Sequence, residues 1–209
     1  MLFQYPEIYL ASASPRRHEI LLQMQVPHTV LQVPSPPGED EPRLPGEAPA
    51  DYVRRTAMDK AQRALAWLRA NALEPRPILA ADTTVILGND ILGKPDGPAD
   101  AASMLARLSG TAHEVHTAIV LALPAGWLRN GVCAEEDRLL DDVSITQVHF
   151  KHLNPREIAR YCDSGEPYGK AGSYGIQGLA GAFIEHIAGS YSGVMGLPVF
   201  ETARLLDTI

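Results

Sequence analysis

The polar residues of this chain that interrupt apolar or glycine-rich stretches are Ser12, Ser14, Arg16, Arg17, Glu41, Lys60, Asp82, Thr83, Lys94, Lys170 and Gln177. The cations match phosphate oxygens. The carboxylates match a divalent ion, or a base that activates water. No cysteine or histidine stands at metal-ligand spacing. An ion held here would be a hard one bound through oxygen, Mg²⁺ or Mn²⁺. No Gly-x-Ser-x-Gly elbow is present to make a serine nucleophile. The set points to a metal-dependent enzyme acting on a phosphorylated small molecule.

The densest part of the set is Leu10-Ala-Ser-Ala-Ser-Pro-Arg-Arg17. It follows the apolar run Ile8 to Ala11 and precedes an amphipathic segment that should end near Met24–Val26. It reads as strand, tight loop, helix. Ser14 suits the N-cap and Pro15 the first helical position. Arg16 and Arg17 then fall in the first turn, where the positive end of the macrodipole favours an acid. A bound anion would answer both cations and the unpaired N–H groups together. A solvated arginine pair after an ordinary cap is the alternative.

The other residues need elements to carry them. Ile78 to Leu87 is an apolar strand with a polar triplet at its centre, and Asp82 there is costly unless paired. A hairpin centred near Gly88–Asn89 would return Lys94 almost opposite Asp82. Such an Asp–Lys neighbourhood could be a site or a buried ion pair. Asp51 to Leu73 is the longest helix candidate. Val53, Ala57, Ala61, Ala64, Leu65 and Leu68 form its apolar face, with Lys60 beside that face. Glu41 sits in the proline-rich acidic segment Pro34 to Pro49, which reads as a lid or as a solvated loop. Lys170 and Gln177 belong to the glycine-rich stretch Gly165 to Gly181, where a backbone can approach a ligand closely.

The remaining pattern predicts strands at His28–Val33, Thr111–Leu123, Trp127–Val132, Asp142–Phe150 and Ala182–Ala188. Tyr191–Met195 reads as a further strand or loop. The acidic piece Glu135–Asp137 reads as a solvated edge or loop. Helices are expected over Pro98–Leu108, from Pro155 to about Asp163, and at the C-terminus, packed by Val199, Phe200, Ala203 and Leu206. His113 and His116 are an odd number of residues apart, so one strand points them to opposite faces. They read as structural or rim residues.

The 209 residues allow one large domain or two small lobes, and 45% of them are hydrophobic. No apolar run reaches the length of a membrane span, and the N-terminus lacks a signal-type segment, so a cytoplasmic protein is expected. Cys133 and Cys162 form no disulfide framework and are expected to be buried thiols. A formal net charge of -7, without interleaved basic and aromatic residues, argues against a nucleic-acid surface. A polyanionic substrate in an acidic pocket would need a divalent ion between them.

Several segments, in order, resemble the Maf family of nucleoside triphosphate pyrophosphatases: Ser12-Ala-Ser-Pro-Arg-Arg17, Asp59-Lys60, Ala81-Asp-Thr83, Gly93-Lys-Pro95, Ser109-Gly110 with Thr117, and Ala171-Gly-Ser-Tyr-Gly-Ile-Gln-Gly178. The resemblance implies an α/β fold: a strongly twisted mixed β-sheet flanked by helices, in two lobes with a cleft between them. It implies one domain over residues 1–209, and a cytoplasmic homodimer. The implied reaction converts a nucleoside triphosphate to the monophosphate and pyrophosphate with a divalent metal. By the same resemblance Asp82 is the catalytic base. Glu41 and Asp82 hold Mg²⁺ or Mn²⁺. Ser12, Ser14, Arg17, Lys60, Lys94 and Lys170 contact substrate, and Arg16, Thr83 and Gln177 bear on substrate choice. Ala-Asp-Thr with Ile-Gln-Gly is similar to the branch that prefers dTTP and UTP. A same-fold enzyme for a modified nucleotide such as 7-methyl-GTP, or a non-catalytic nucleotide-binding regulator, is the alternative. Gly169 stands where many relatives carry Asp.

Overall fold

The computed structural model describes residues 5–35, 42–129 and 132–209. In chain order, β1 (Ile8–Leu10) leads through the serine loop into α1 (Pro15–Gln23) and β2 (His28–Val30). Then come α2 (Pro49–Ala70), β3 (Ile78–Leu87), β4 (Asp90–Leu92) and α3 (Pro98–Leu108). β5 (Ala112–Leu123) is followed by a small ribbon of β6 (Leu128–Arg129) and β7 (Val132–Cys133), then by β8 (Arg138–Phe150). α4 (Pro155–Asp163) precedes the glycine-rich stretch, after which β9 (Ile184–Ala188), α5 (Tyr191–Met195) and α6 (Val199–Leu206) close the chain.

Proline opens α1, α2, α3 and α4, where its missing N–H would have had no helical partner. α4 also carries a full capping box between Asn154 and Glu157. The main sheet has seven strands in the order β2-β1-β3-β5-β8-β9, with β4 also on β3. β1 pairs in parallel with β2 and β3, and the other pairings are antiparallel, so the sheet is mixed.

The long strands β3, β5 and β8 run through two lobes. In one lobe α2 lays Val53, Ala57, Ala61 and Ala64 on Ala80, Ala118 and Val120. The opposite face there packs Leu79, Ala81 and Ile119 against Ile20, Leu21, Leu205 and Leu206 from α1 and α6. In the other lobe Val85, Val115 and Phe150 pack with Leu105 and Leu108 of α3, Tyr161 of α4, and Tyr174 and Phe183. Among the described residues no helix is long and apolar enough to cross a membrane.

Several expectations change. Tyr191–Met195 is a helical turn, because the Ser190 hydroxyl accepts from Gly193 N–H at 3.0 Å. Trp127–Val132 is not one strand but part of the β6–β7 ribbon. β8 begins at Arg138, earlier than expected, and β9 later, at Ile184. Leu179–Phe183 winds as a 3-10 turn instead. The acidic piece is not merely solvated: Asp137 accepts from Ala125 N–H at 2.9 Å and pairs with Arg69. α6 buries Thr202, Leu205 and Leu206, while Val199 is exposed and Phe200 is 71% exposed. Pro198 is its N-cap, and that start sets the helical phase so that Phe200 faces outward under Arg204. Cys162 is buried as expected, but Cys133 is exposed on the ribbon.

Gly172 joins the glycine-rich stretch to β4 by donating to the Gly93 carbonyl at 3.0 Å. Its φ is +66°, and a Cβ would lie 2.9 Å from both Val85 Cγ atoms. Left-handed strain and overpacking together should make G172A about 2 kcal/mol less stable. A urea midpoint lowered with an unchanged m-value is the expected result.

Candidate active site

β1 pairs with β3 only as far as Leu79, and β4 only from Val85. Between them one edge of β3 has no neighbouring strand among the described residues, while β5 covers the other edge from Ile78 to Ile86. Successive residues of a strand point to opposite faces. Asp82 therefore leaves on the α2 side, and Thr83 on the side of α1. Where the sheet lacks its next strand, groups from both faces reach the same space.

On the α2 face, Thr56 and Lys60 stand one helical turn apart and both meet Asp82. Lys60 Nζ donates to Asp82 Oδ1 at 2.7 Å, and the Thr56 hydroxyl to Oδ2 at 2.8 Å. Thr84 approaches Oδ2 at 3.4 Å. Asp82 is only 6% exposed. Burial pushes its pKa up, but the charge and hydrogen bond of Lys60, the Arg17 charge and the Thr56 hydrogen bond outweigh it. The carboxyl titrates below its ordinary value and is ionised at neutral pH.

Lys94 is not the partner of Asp82. The β3–β4 register pairs Val85 with Leu92 and stops there. Carried two residues further, it sets Lys94 against Thr83, on the other phase of the strand. Lys94 lies exposed at the rim.

On the opposite face, the two arginines hold the end of α5 and the residue after it. Arg16 Nε donates to the Met195 carbonyl at 3.2 Å, and Arg17 Nε to the Gly196 carbonyl at 2.8 Å. Arg17 also donates to the hydroxyls of Ser12 at 2.9 Å and Thr83 at 3.3 Å. Thr83 and Thr117 share a hydrogen bond of 3.0 Å, and Thr117 donates to the Gly193 carbonyl at 2.7 Å. The carbonyls answer part of the charge that the sequence assigned to an anion. The helix start itself stays open: Ser14 makes no side-chain cap, and α1 has no acid in its first turn.

A cleft of about 1270 Å³ opens along this edge. Ser12, Ser14, Arg16, Arg17, Lys60, Asp82, Thr83, Lys94, Lys170 and Gln177 all line it. Glu41, the remaining site candidate, lies outside the described residues, as does most of the acidic core of its segment. Gly169 also borders the cleft, and a Cβ there would meet open space. Burial and the Arg16 charge pull the Lys170 ammonium below its ordinary pKa, against the charge of Glu166. Sequence reasoning missed Thr56, and it had Thr117 only as part of a family segment, with no role at the site. The signal for Thr56 was a polar residue at a buried helix position, one turn before Lys60.

The donor chemistry fits a hard ion shared with a substrate. Among the described residues no three His, Cys, Asp or Glu side chains group to hold a metal. Asp82 is the one carboxylate among the described residues that line the cleft. Mg²⁺ commonly uses one or two carboxylates and takes its other oxygens from phosphates and water. The two histidines do not line the cleft. His113 Nε2 meets the Tyr174 hydroxyl at 2.8 Å, and burial with the nearby His149 holds its pKa down at about 4. His116 meets Glu114 at 2.8 Å. Both are structural, as their spacing suggested.

The fold and site define an α/β protein whose open sheet edge presents an ionised carboxylate to a cation-lined cleft. The family model described as "Maf-like protein" matches residues 7–209, and the chain belongs to that family. Its relatives include proteins named dTTP/UTP pyrophosphatase. One from Bordetella pertussis is 62% identical, over 96% of this chain and 91% of that one. One from Bordetella avium is 63% identical over 96% and 94%, and one from Cupriavidus metallidurans 50% identical over 95% and 94%.

The Lys60–Asp82 pair makes a stability prediction. Because the folded pKa of Asp82 is depressed, its contribution is full above the unfolded value of about 4 and is lost as pH falls through the folded value. K60M strands the charge, and should cost about 3 kcal/mol at pH 7. That cost should shrink as pH falls towards 4 and Asp82 takes a proton. Urea unfolding at both pH values checks it, with K60M/D82N expected to lose less than K60M at pH 7.

Proposed function

We propose that this chain hydrolyses nucleoside triphosphates, dTTP and UTP in preference, to the monophosphate and pyrophosphate. The observation that carries this reading is the buried, ionised Asp82 in the wall of a cleft lined by arginines and lysines. The names of the relatives over nearly the full chain support the choice of substrate.

Water attacks the α-phosphorus. Asp82 orients that water and accepts its proton as the bond forms. A carboxylate of depressed pKa is a weak base, so orientation carries more of its effect than basicity does. Lys60, held on Asp82, faces the same water and the phosphate it attacks. Arg16, Arg17, Lys94 and Lys170 neutralise charge on the departing pyrophosphate. Ser12, Ser14 and the uncapped start of α1 donate to phosphate oxygens. Asp82, with Glu41, would hold Mg²⁺ or Mn²⁺, which when bound supplies Lewis-acid withdrawal at the phosphates. Thr83 and the Gln177 amide face the nucleoside, where an amide pairs with the donors and acceptors of uracil or thymine. A cytoplasmic location and a homodimer belong to the same reading, on the strength of the family resemblance.

A panel of dTTP, UTP, CTP, dGTP and 7-methyl-GTP, with pyrophosphate and orthophosphate read separately, tests the proposal. Pyrophosphate release fastest on dTTP and UTP is expected. A preference for 7-methyl-GTP, orthophosphate as product, or binding without turnover would each overturn it. D82N should lower kcat by at least about 100-fold while the protein still folds, since positioned acid–base groups contribute about that much or more. Loss of folding in step with loss of activity would remove Asp82 from the chemistry. Q177E should weaken the pyrimidine preference, and unchanged relative rates would exclude Gln177 as the reader.

A further inference from the structure

Another wall of the cleft is built from a stretch with no strand and no α-helix. Between Ser164 and Phe183 the backbone makes only turns and short 3-10 pieces, yet Gly169, Lys170, Tyr174, Gly175 and Gln177 all line the cleft. Side chains therefore have to hold it. One side chain holds it at several points. The Glu166 carboxylate accepts from the Tyr161 hydroxyl of α4 at 2.9 Å, from Leu179 N–H at 2.8 Å and from Ala180 N–H at 3.3 Å. The carbonyl of the same residue accepts from Lys170 Nζ.

These bonds close the loop onto the turn that carries Gln177. Gly178 N–H donates to the Gly175 carbonyl at 3.0 Å, so Gln177 sits inside that turn, and Leu179 leaves it directly onto Glu166. The fit is close: a Cβ on Gly178 would lie 2.4 Å from a carboxylate oxygen of Glu166. On the other side of the turn, Gly175 packs on the Lys170 stem, where a Cβ would meet Cε at 3.1 Å. Glu166 thus holds the turn that carries the amide through its carboxylate, which Tyr161 ties to α4, and meets the Lys170 ammonium through its backbone carbonyl. Asp82, Lys60 and Arg16 are held by other elements.

We infer that Glu166 is a positioning residue for nucleotide selection: its carboxylate sets where the turn carrying the Gln177 amide stands, and so governs substrate affinity and discrimination rather than the hydrolytic step. This rests on the function proposed above. Loss of the carboxylate leaves Gln177 in the chain but without a fixed place. The cost falls on binding the preferred nucleotide, which KM and relative kcat/KM report, and not on the Asp82 water, which kcat reports. Glutamine at 166 keeps an oxygen for Leu179 N–H and offers an N–H to the Tyr161 hydroxyl, so it should restore most of the function.

The test measures kcat and KM by pyrophosphate release for wild type, E166A, E166Q, Q177A and E166A/Q177A on UTP, dTTP, CTP and dGTP, with thermal melts of each. E166A should raise KM for UTP and dTTP about tenfold, flatten the preference over dGTP by a similar factor, and leave kcat within about threefold. E166Q should recover most of both losses. In the double variant Q177A should add little, because the two residues act through one turn. Equal changes on every nucleotide, a loss confined to kcat, or additive effects of E166A and Q177A would overturn the inference. If E166A does not fold, E166D, which keeps the charge but shortens its reach, is read against the same criteria. A wild-type protein without nucleotide preference overturns the parent reading and this inference with it. A wild-type preference that E166A leaves intact overturns this inference alone.

Discussion

An ionised carboxylate inside a sheet strand is a constraint that the neighbouring structure has to satisfy. Desolvating Asp82 with no partner would cost several kcal/mol, a large share of the stability of an ordinary domain. α2 supplies the answer with Thr56 and Lys60, one turn apart and each within 2.8 Å of a carboxylate oxygen. The helix can bring them there because its buried face carries Ala57, Ala61 and Ala64 beside them. Small side chains let the helix lie close on β3, so a threonine and a lysine stem span the remaining distance. The stable pair is also the chemically useful one: the same contacts keep Asp82 deprotonated and fix the direction in which it points.

The second constraint is the short reach of β1. Had it continued along β3, it would have covered the edge between Leu79 and Val85 and closed the cleft. Instead the chain turns through its serine loop into α1, whose uncapped start lines the opening. Arg16 and Arg17 then draw in the end of α5 and the residue after it, from the far end of the sequence. The hydrogen bonds that aim them end on carbonyl and hydroxyl oxygens. Neutral acceptors of that kind orient a guanidinium without cancelling its charge, and the Arg17 charge also helps to hold Asp82 ionised.

Each wall of the cleft is thus made differently. The Asp82 wall is a strand and a long helix, stiffened by ladders and packing. The Gln177 wall has no ladder, and a few side-chain bonds meet the entropy of ordering it. On the function proposed, fixed geometry on the Asp82 side and a wall held at a few points on the Gln177 side is a division that lets chemistry and selectivity be altered separately.

Much was legible in the chain before any coordinates. Proline marked the starts of α1, α3 and α4, alternation and apolar runs set the long strands, and a charge in the middle of an apolar strand singled out Asp82. These are local signals, written in residues a turn or a strand apart. The hairpin is centred where expected, but the Lys94 expectation failed because that register sets residue 94 against Thr83, and a single residue along a strand changes the face that is met. Tyr191–Met195 and the facing of Phe200 failed because, in such short segments, one cap or one starting residue outweighs periodicity. The sequence by itself determined which side chains carry the charge and which segments are strand or helix. Only the tertiary structure decided that Lys60 pairs with Asp82, that Met195 and Gly196 receive the two arginines, and that Glu166 clasps the Gln177 turn. Those contacts depend on where packed layers bring distant segments together, and no spacing along the chain encodes that distance.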